Sequence, residues 1–265
     1  MLKIFQRLWQ VNWAEQWQYR ANLIMYLLYW LVSPIIYMAV WTSIANAQGS
    51  VNGLTAADFT TYYMLLLVVD QLTSNITIHI FAYKVQDGTL SGELIRPIHP
   101  MLTNALVNNI AFKAFTILGF IPIWIVFLFL FQPDFSAVTW QGITLAIPAV
   151  VLGFFIHFLL SAIITCIAFW TTRVFSVHEF YFALSVLFSG QFVPLQLMPR
   201  LIQDIAQYLP FQFLIYFPIQ LILGRLSFDQ ITGGFLIGSL WLVVSLVTFV
   251  SFWREGIKRF SAVGA

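Results

Sequence analysis

ALVNNIAFKAFTILGFIPIWIVFLFLF, residues 105–131, holds a single charged side chain, Lys113, in 27 consecutive positions. Coiled as a helix it would reach about 40 Å, more than the roughly 30 Å of hydrocarbon in a bilayer. The rest of the chain has the same character. Of 265 residues 60% are hydrophobic and 8% charged, where a soluble domain carries about a quarter charged residues because its surface must face water. The sequence is that of an integral membrane protein.

Working outward from this run, apolar segments long enough to span lie at about 23–45, 59–81, 105–131, 143–170, 180–197 and 231–253, which predicts six spans. All should be helices, because a lone segment in lipid must satisfy its own backbone hydrogen bonds, and the alternation of a membrane β-barrel is absent. SIANA, residues 43–47, faintly resembles a signal cleavage site, but the apolar run before it is too long for a signal segment, so a retained helix is expected. FQFLIYFPIQLIL, residues 211–223, is apolar but only thirteen residues long and contains Pro218. Its length predicts a re-entrant or interfacial element, part of a helical hairpin outside the cytoplasm between spans five and six.

The basic residues orient the spans, since short cytoplasmic loops are enriched in lysine and arginine. With the N-terminus inside, ten of the 12 lie on the cytoplasmic side (Lys3, Arg7, Arg20, Lys84, Arg96, Lys113, Arg173, Arg254, Lys258 and Arg259), and only Arg200 and Arg225 fall outside. The expected topology is N-in and C-in. LKIFQRLWQVNWAEQWQYR, residues 2–20, spaces Phe5, Trp9, Trp13 and Trp17 four apart with Lys3 and Arg7 off that row. It reads as an amphipathic helix in the headgroup layer, with its tryptophans toward lipid or the bundle. The expected organisation is therefore an interfacial helix over 1–22 and a transmembrane domain over 23–265.

Chemistry is sparse. No G-x-x-x-x-G-K-[ST] occurs and no glycine precedes a lysine, so the sequence has no phosphate-binding loop of its own. H-E-x-x-H and G-x-S-x-G are absent too, and His79, His99, His157 and His178 lie in separate segments without metal-ligand spacing. Neither catalytic, cofactor-binding nor metal-binding residues are expected, and the chain is read as no enzyme. Its net charge of +2 is too small to point to nucleic acid. Cys166 is the single cysteine, in an apolar run, and reads as a small core residue.

Two polar interruptions stand out inside the spans. In VVDQLTSNITIH, residues 68–79, a mid-membrane carboxylate costs about 2.5–3.5 kcal/mol on insertion scales, so Asp70 must face protein or a wet cavity. At helical spacing Asp70, Ser74 and Thr77 share a face, with Gln71 and Asn75 beside them; the group reads either as part of a substrate path or as an interhelical hydrogen-bond seam. In FSGQFVPLQLMPRLIQDIAQYLP, residues 188–210, Gly190, Pro194 and Pro199 interrupt span five, which should stop near Pro194 or Pro199. That break reads as an outer gate or as an ordinary helix end, followed by a short amphipathic helix carrying Leu201, Ile205 and Tyr208.

A third polar stretch, DGTLSGELIRPIHP, residues 87–100, joins spans two and three. Gly88 and Gly92 permit tight turns, Pro97 and Pro100 stop helix propagation, and between them the segment projects Thr89, Leu90, Glu93, Leu94 and Arg96. Leucines for a shallow pocket and a Glu/Arg pair for orientation suit docking onto a partner, and a solvated loop of this composition is equally common.

Gly88, Leu90, Leu94, Arg96 and Pro97, read as G-x-L-x-x-x-L-x-R-P, together with the long apolar helix that follows and the FSGQFVPLQLMP break, resemble the ABC-2 type transporter permease family, over essentially the whole chain. The resemblance implies the membrane subunit of an ABC exporter. Such a subunit dimerises with a second permease, identical or related, and is driven by two separate ATP-binding subunits that hold the ATP and Mg. It implies that the connection around Gly88, Leu90, Glu93, Leu94, Arg96 and Pro97 is a coupling helix, and that the protein sits in a bacterial inner or plasma membrane among lipid, with no nucleic acid. Two other classes stay open on the residues alone: an ion-coupled carrier or channel, which normally has more intramembrane charges and internal repeats, and a non-transporting scaffold. The 27 phenylalanines, 10 tryptophans and 10 tyrosines suit an amphipathic or lipid-like cargo and equally suit lipid-facing positions.

Overall fold

A computed structural model describes residues 2–260; residue 1 and residues 261–265, the outer limits of the two expected regions, lie outside the described residues. The regular elements are helices: α1 (Leu2–Gln18), α2 (Arg20–Gln48), α3 (Ala56–Thr73), α4 (Thr77–Gln86), the single turn α5 (Ser91–Leu94), α6 (Val107–Phe131) preceded by a π-helical turn (Met101–Leu106), α7 (Trp140–Cys166), α8 (Val174–Phe188), α9 (Arg200–Ala206), α10 (Tyr216–Ile222) and α11 (Phe228–Arg259). Val51 and Leu54 form an isolated bridge in the loop after α2.

Several helix starts are written locally. Thr55 accepts from Asp58 N while the Asp58 carboxylate reaches back to Thr55 N, a capping box that opens α3; Ser227 and Gln230 do the same for α11. The Thr139 hydroxyl accepts from Gly142 N at the start of α7. These three starts lie at one end of the bundle, where Arg225 Nη2 donates to Asp58 Oδ1 at 2.5 Å and Thr61 Oγ1 donates to Asp134 O at 2.9 Å. At the other end Lys84 pairs with Glu93, Gln86 Nε2 donates to Thr172 O, and the His99 ring meets Trp253. That end carries Lys84, Arg96, Arg173, Arg254, Lys258 and Arg259.

Helix α7 is the axis of the fold, with α3, α4, α10 and α11 packed around it. The close approach of the 210–222 segment to α7 depends on Gly153, because a Cβ there would run into the Phe213 carbonyl. The main core joins Phe59, Tyr62 and Tyr63 of α3 to Ile156 of α7 and Phe213, Phe217 and Ile219. Across α3, Leu27 and Leu31 of α2 meet Met64, Leu67 and Phe120. Helix α1 lies on α6, with Trp13 and Trp17 edge-on to Phe115 at 5.7 and 5.2 Å.

Among the described residues four segments are long and apolar enough to cross a membrane: Ile24–Gln48, Met101–Phe131, Trp140–Phe169 and Phe228–Arg259. They correspond to the first, third, fourth and sixth expected spans. The other two differ from the single helices expected. Residues 59–81 are divided between α3 and α4 at Ser74–Ile76. The helix expected to end near Pro194 or Pro199 ends at Phe188, ahead of both prolines, because Gly190 turns the chain at φ +84°. A side chain there would meet both strain and the Tyr62 hydroxyl. The apolar 211–223 stretch lies inside the protein: Phe213, Ile215, Phe217, Ile219 and Leu221 are all buried.

Candidate functional site

The polar run in α3 comes apart into two functions of geometry, because the helix stops within it. Ser74 is extended (ψ 161°), its N–H bonded back to Asp70 O, and three residues later α4 begins. The interruption costs backbone hydrogen bonds that lipid cannot replace, so neighbouring side chains must supply them. Asn109 of α6 does most of this: its Oδ1 accepts from Ile76 N at 2.8 Å, and its Nδ2 donates to Thr77 Oγ1 and Ala105 O at 3.1 and 2.7 Å. Asn75 Oδ1 accepts from Thr77 N, and His157 Nδ1 of α7 bonds Thr73 O at 3.2 Å.

Gln71 and Ser74 face α6. Gln71 Nε2 donates to Thr116 Oγ1, and Lys113 Nζ donates to Gln71 O at 2.9 Å and to Ser74 Oγ at 3.1 Å. Lys113, counted among the cytoplasmic charges by sequence, thus sits inside the bundle, where its ammonium caps the carbonyl end of α3. Asp70 and Asn75 face the other way, into a cavity of about 470 Å³ between α2, the α3–α4 break and α8. Its walls are aromatic, with Tyr26, Trp30 and Phe112 on one side and Tyr181 and Phe182 on the other. Asp70 is 8% exposed.

The interrupted segment after α8 is pinned from three sides. Tyr62 Oη donates to Gly190 O at 2.8 Å, while Tyr63 Oη and Trp41 Nε1 both donate to Phe192 O, at 2.7 and 3.1 Å. Tyr216 N donates to Ser189 O. Pro194 and Pro199 flank a short 3-10 turn (Leu195–Leu197) ahead of α9, whose Leu201 stands exposed. The carbonyls of Gly190 and Phe192, just past the end of α8, are thus satisfied by side chains from α2 and α3.

On the basic end, the 87–100 connection is built differently from the sequence expectation. Leu90, expected to project, is fully buried against Phe81, Val85, Met101 and Trp253, and Leu94 packs beside it. Apolar burial decided this: the connection leaves too little polar cover for its own leucine to face water. Glu93 pairs inward with Lys84 at 2.6 Å instead of with Arg96. Gly88 is buried at a turn with φ +80°, and two hydrogen bonds from Thr89 hold the Asp87 carboxyl below the usual carboxylate range. What faces outward is Ile95, 86% exposed, with Arg96 and Pro97 exposed beside it.

The sequence matches the profile of the family described as "ABC-2 family transporter protein" over residues 29–264. The chain belongs to this family. It is accordingly a multi-pass membrane protein of the permease class, the membrane subunits of ABC transporters, which work with ATP-binding partner subunits. No curated protein matches the chain.

For this ABC-2 permease, the structure brings Asp70 and Asn75 together at the cavity, joins Gln71 and Ser74 to the adjoining seam with α6, and places Gly190, Pro194 and Pro199 near the Asp58 end. The connection with Gly88, Leu90, Glu93, Leu94, Arg96 and Pro97 lies at the basic end. Sequence reasoning missed Asn109, Lys113, Tyr62 and Tyr63. A lysine and an asparagine nine and five residues into an apolar run were the available signal for the first two; for the tyrosines there was none, since their partners are more than 120 residues away.

Proposed function

We propose that this ABC-2 permease is the membrane-spanning subunit of an ATP-driven exporter, with six spans, its N- and C-termini in the cytoplasm, and a second permease completing the path. Two separate ATP-binding subunits, holding ATP and Mg, dock on the basic end and push through residues 87–97; the chain itself carries no catalytic group. The cargo is amphipathic or lipid-like, and the pinned segment from Gly190 to Pro199 forms the outer gate.

The observation that carries the reading is the build of the connection. Leu90 anchors it in the core and the Lys84–Glu93 pair braces it, while Ile95 and Arg96 are left outward. A rigidly anchored segment with an exposed apolar residue beside a cation transmits force from a docked partner instead of absorbing it. Family membership supports an ATP-binding partner, and the absence of a phosphate-binding loop from the sequence agrees with ATP being handled elsewhere.

The test uses Ile95→Asp and Arg96→Glu in the full transporter. Both variants should reach the membrane at normal levels, with transport-coupled ATP hydrolysis reduced about tenfold or more, the loss expected when a central apolar or arginine contact of an interface is removed. Charge reversal at Glu93 is less informative, because it first breaks the internal pair with Lys84. Normal transport in both outward variants, or purification of the intact protein with no ATP-binding partner, would sink the proposal.

A further inference from the structure

The cavity between α2 and α8 has a chemical bias that the permease function does not by itself require. Asp70 lies in its wall and has no cation within 4 Å among the described residues; the Lys113 amine, bonded to Gln71 O and Ser74 Oγ, acts on it only from a longer distance. His157 also lines the cavity, beside Tyr181, with its Nδ1 bonded to Thr73 O. A second carboxylate, Glu179, stands at the mouth with its side chain 75% exposed. Among the described residues, Asn75 Nδ2 and the hydroxyl of Tyr181, a residue only 9% exposed, are buried polar atoms on the wall without a hydrogen-bond partner. Buried donors of this kind are costly unless something satisfies them. The rest of the wall combines aromatic rings, among them Tyr29, Trp30 and Phe182, with aliphatic Leu214 and Ile215 and with His178, whose Nδ1 lies 3.9 Å from the Glu179 carboxylate.

From this arrangement we infer that the cavity binds an amphipathic organic cation, with its ammonium at Asp70, a neighbouring hydroxyl or carbonyl oxygen accepting from Asn75 Nδ2 and the Tyr181 hydroxyl, and its apolar body among the aromatic rings. Each part of the ligand answers one feature. A carboxylate in an apolar wall strongly favours a positive partner over a neutral or negative one. Aromatic faces add attraction for a desolvated cation and cover the hydrocarbon. A volume of about 470 Å³ suits a molecule of drug size. The mouth opens between α2 and α8, where Tyr29 and Phe182 are exposed, so entry is from the side of the protein. As the cargo site of the exporter proposed above, the inference rests on that reading; as a binding site it stands on the geometry alone.

The experiment measures binding of rhodamine 6G, a cationic ester dye, and of the anionic dye fluorescein to the full-length protein in maltoside micelles by fluorescence anisotropy. Rhodamine 6G should bind at least about tenfold tighter than fluorescein, and Asp70→Asn should remove about one decade of that preference, the worth of one charge-assisted contact. Tyr29→Ala and Glu179→Gln, at exposed positions that do not disturb folding, should each weaken rhodamine 6G about threefold, as expected of rim contacts to a cation. The native source is separated by competition: displacement by lysophosphatidylethanolamine but not by lysophosphatidylglycerol assigns a lipid amine headgroup, and displacement by neither assigns a free cation. Equal binding of the two dyes overturns the inference, as does an Asp70→Asn protein that binds as the parent does. If Asp70→Asn does not fold, unchanged binding in both rim variants overturns it. The same preparations are probed for an ATP-binding partner. A partner present without dye preference sinks this inference alone, whereas cation binding without any partner sinks the exporter reading and leaves the site.

Discussion

At Asp58 one carboxylate starts a helix and ties down a loop. Partial burial alone would raise its proton affinity, but hydrogen bonds from Thr55 N and Oγ1 and the contact with the Arg225 guanidinium outweigh this and hold its carboxyl below the usual carboxylate range. A group whose folded-state proton affinity is depressed contributes stability that is present above its unfolded pKa, about 3.9 for aspartate, and lost as pH falls through the folded value. The melting temperature of the detergent-solubilised protein should therefore drop between about pH 5 and about pH 3. Asp58→Asn should melt lower at neutral pH and show a shallower drop; an identical pH profile in the variant would remove Asp58 from this role. The capping half of its work is local, T-x-x-D before an apolar run, though the expected start of this span rested on hydropathy alone. Its partner Arg225, 167 positions away, is not local. Leu90 teaches the same lesson in reverse: the segment's local chemistry said a leucine between two glycines, and only the neighbouring Phe81 and Trp253 turn it inward.

At the scale of elements, the second expected span is the informative case. Its hydropathy reads as one helix, and its polar residues fall on one face only if that helix is continuous. The break at Ser74–Ile76 is stable because Asn109 of α6 satisfies Ile76 N, Thr77 Oγ1 and Ala105 O at once, and because Lys113 and His157 take neighbouring groups. Asn109→Leu should therefore cost about 1–3 kcal/mol, the desolvation cost of a buried donor left unpaired. Unfolding in mixed micelles with increasing SDS measures it, and a midpoint equal to that of the parent would show that the break is held by something else. The polar run TSN announced that something happens there. Whether the helix would bend, pass through or stop depended on a residue more than 30 positions later in the sequence. The fifth span is different in kind: its end at Phe188 follows from Gly190, while its fixed position follows from Tyr62, Tyr63 and Trp41.

For the whole molecule, the two ends of the bundle differ in charge, and the difference carries the proposed orientation. Lys84, Arg96, Arg173, Arg254, Lys258 and Arg259 gather at the end opposite Asp58, Asp134 and Arg225, as the enrichment of basic residues in cytoplasmic loops requires. Lys113, which lies in the seam between α3 and α6, drops out of the loop count and leaves nine basic residues against Arg200 and Arg225. Green fluorescent protein fused after residue 265 should fluoresce, and alkaline phosphatase at the same place should stay inactive. The opposite pair of results would overturn the topology with termini inside.

Composition and charge placement were enough to specify a helical membrane protein, its long apolar helices and the sidedness to expect of it, because hydrocarbon penalises every unpaired backbone group and every charge residue by residue. The caps at Thr55, Thr139 and Ser227, missed by sequence reasoning, are likewise local in origin. What had to wait for the folded chain is the direction each polar side chain faces: Asp70 toward the cavity and Gln71 toward α6, Leu90 inward and Ile95 outward, Lys113 into the bundle. Those choices are made by partners tens to more than a hundred residues distant. Inside a membrane, where lipid packs against an apolar surface as readily as protein does, such specific hydrogen bonds and close contacts are what select one arrangement of helices from many.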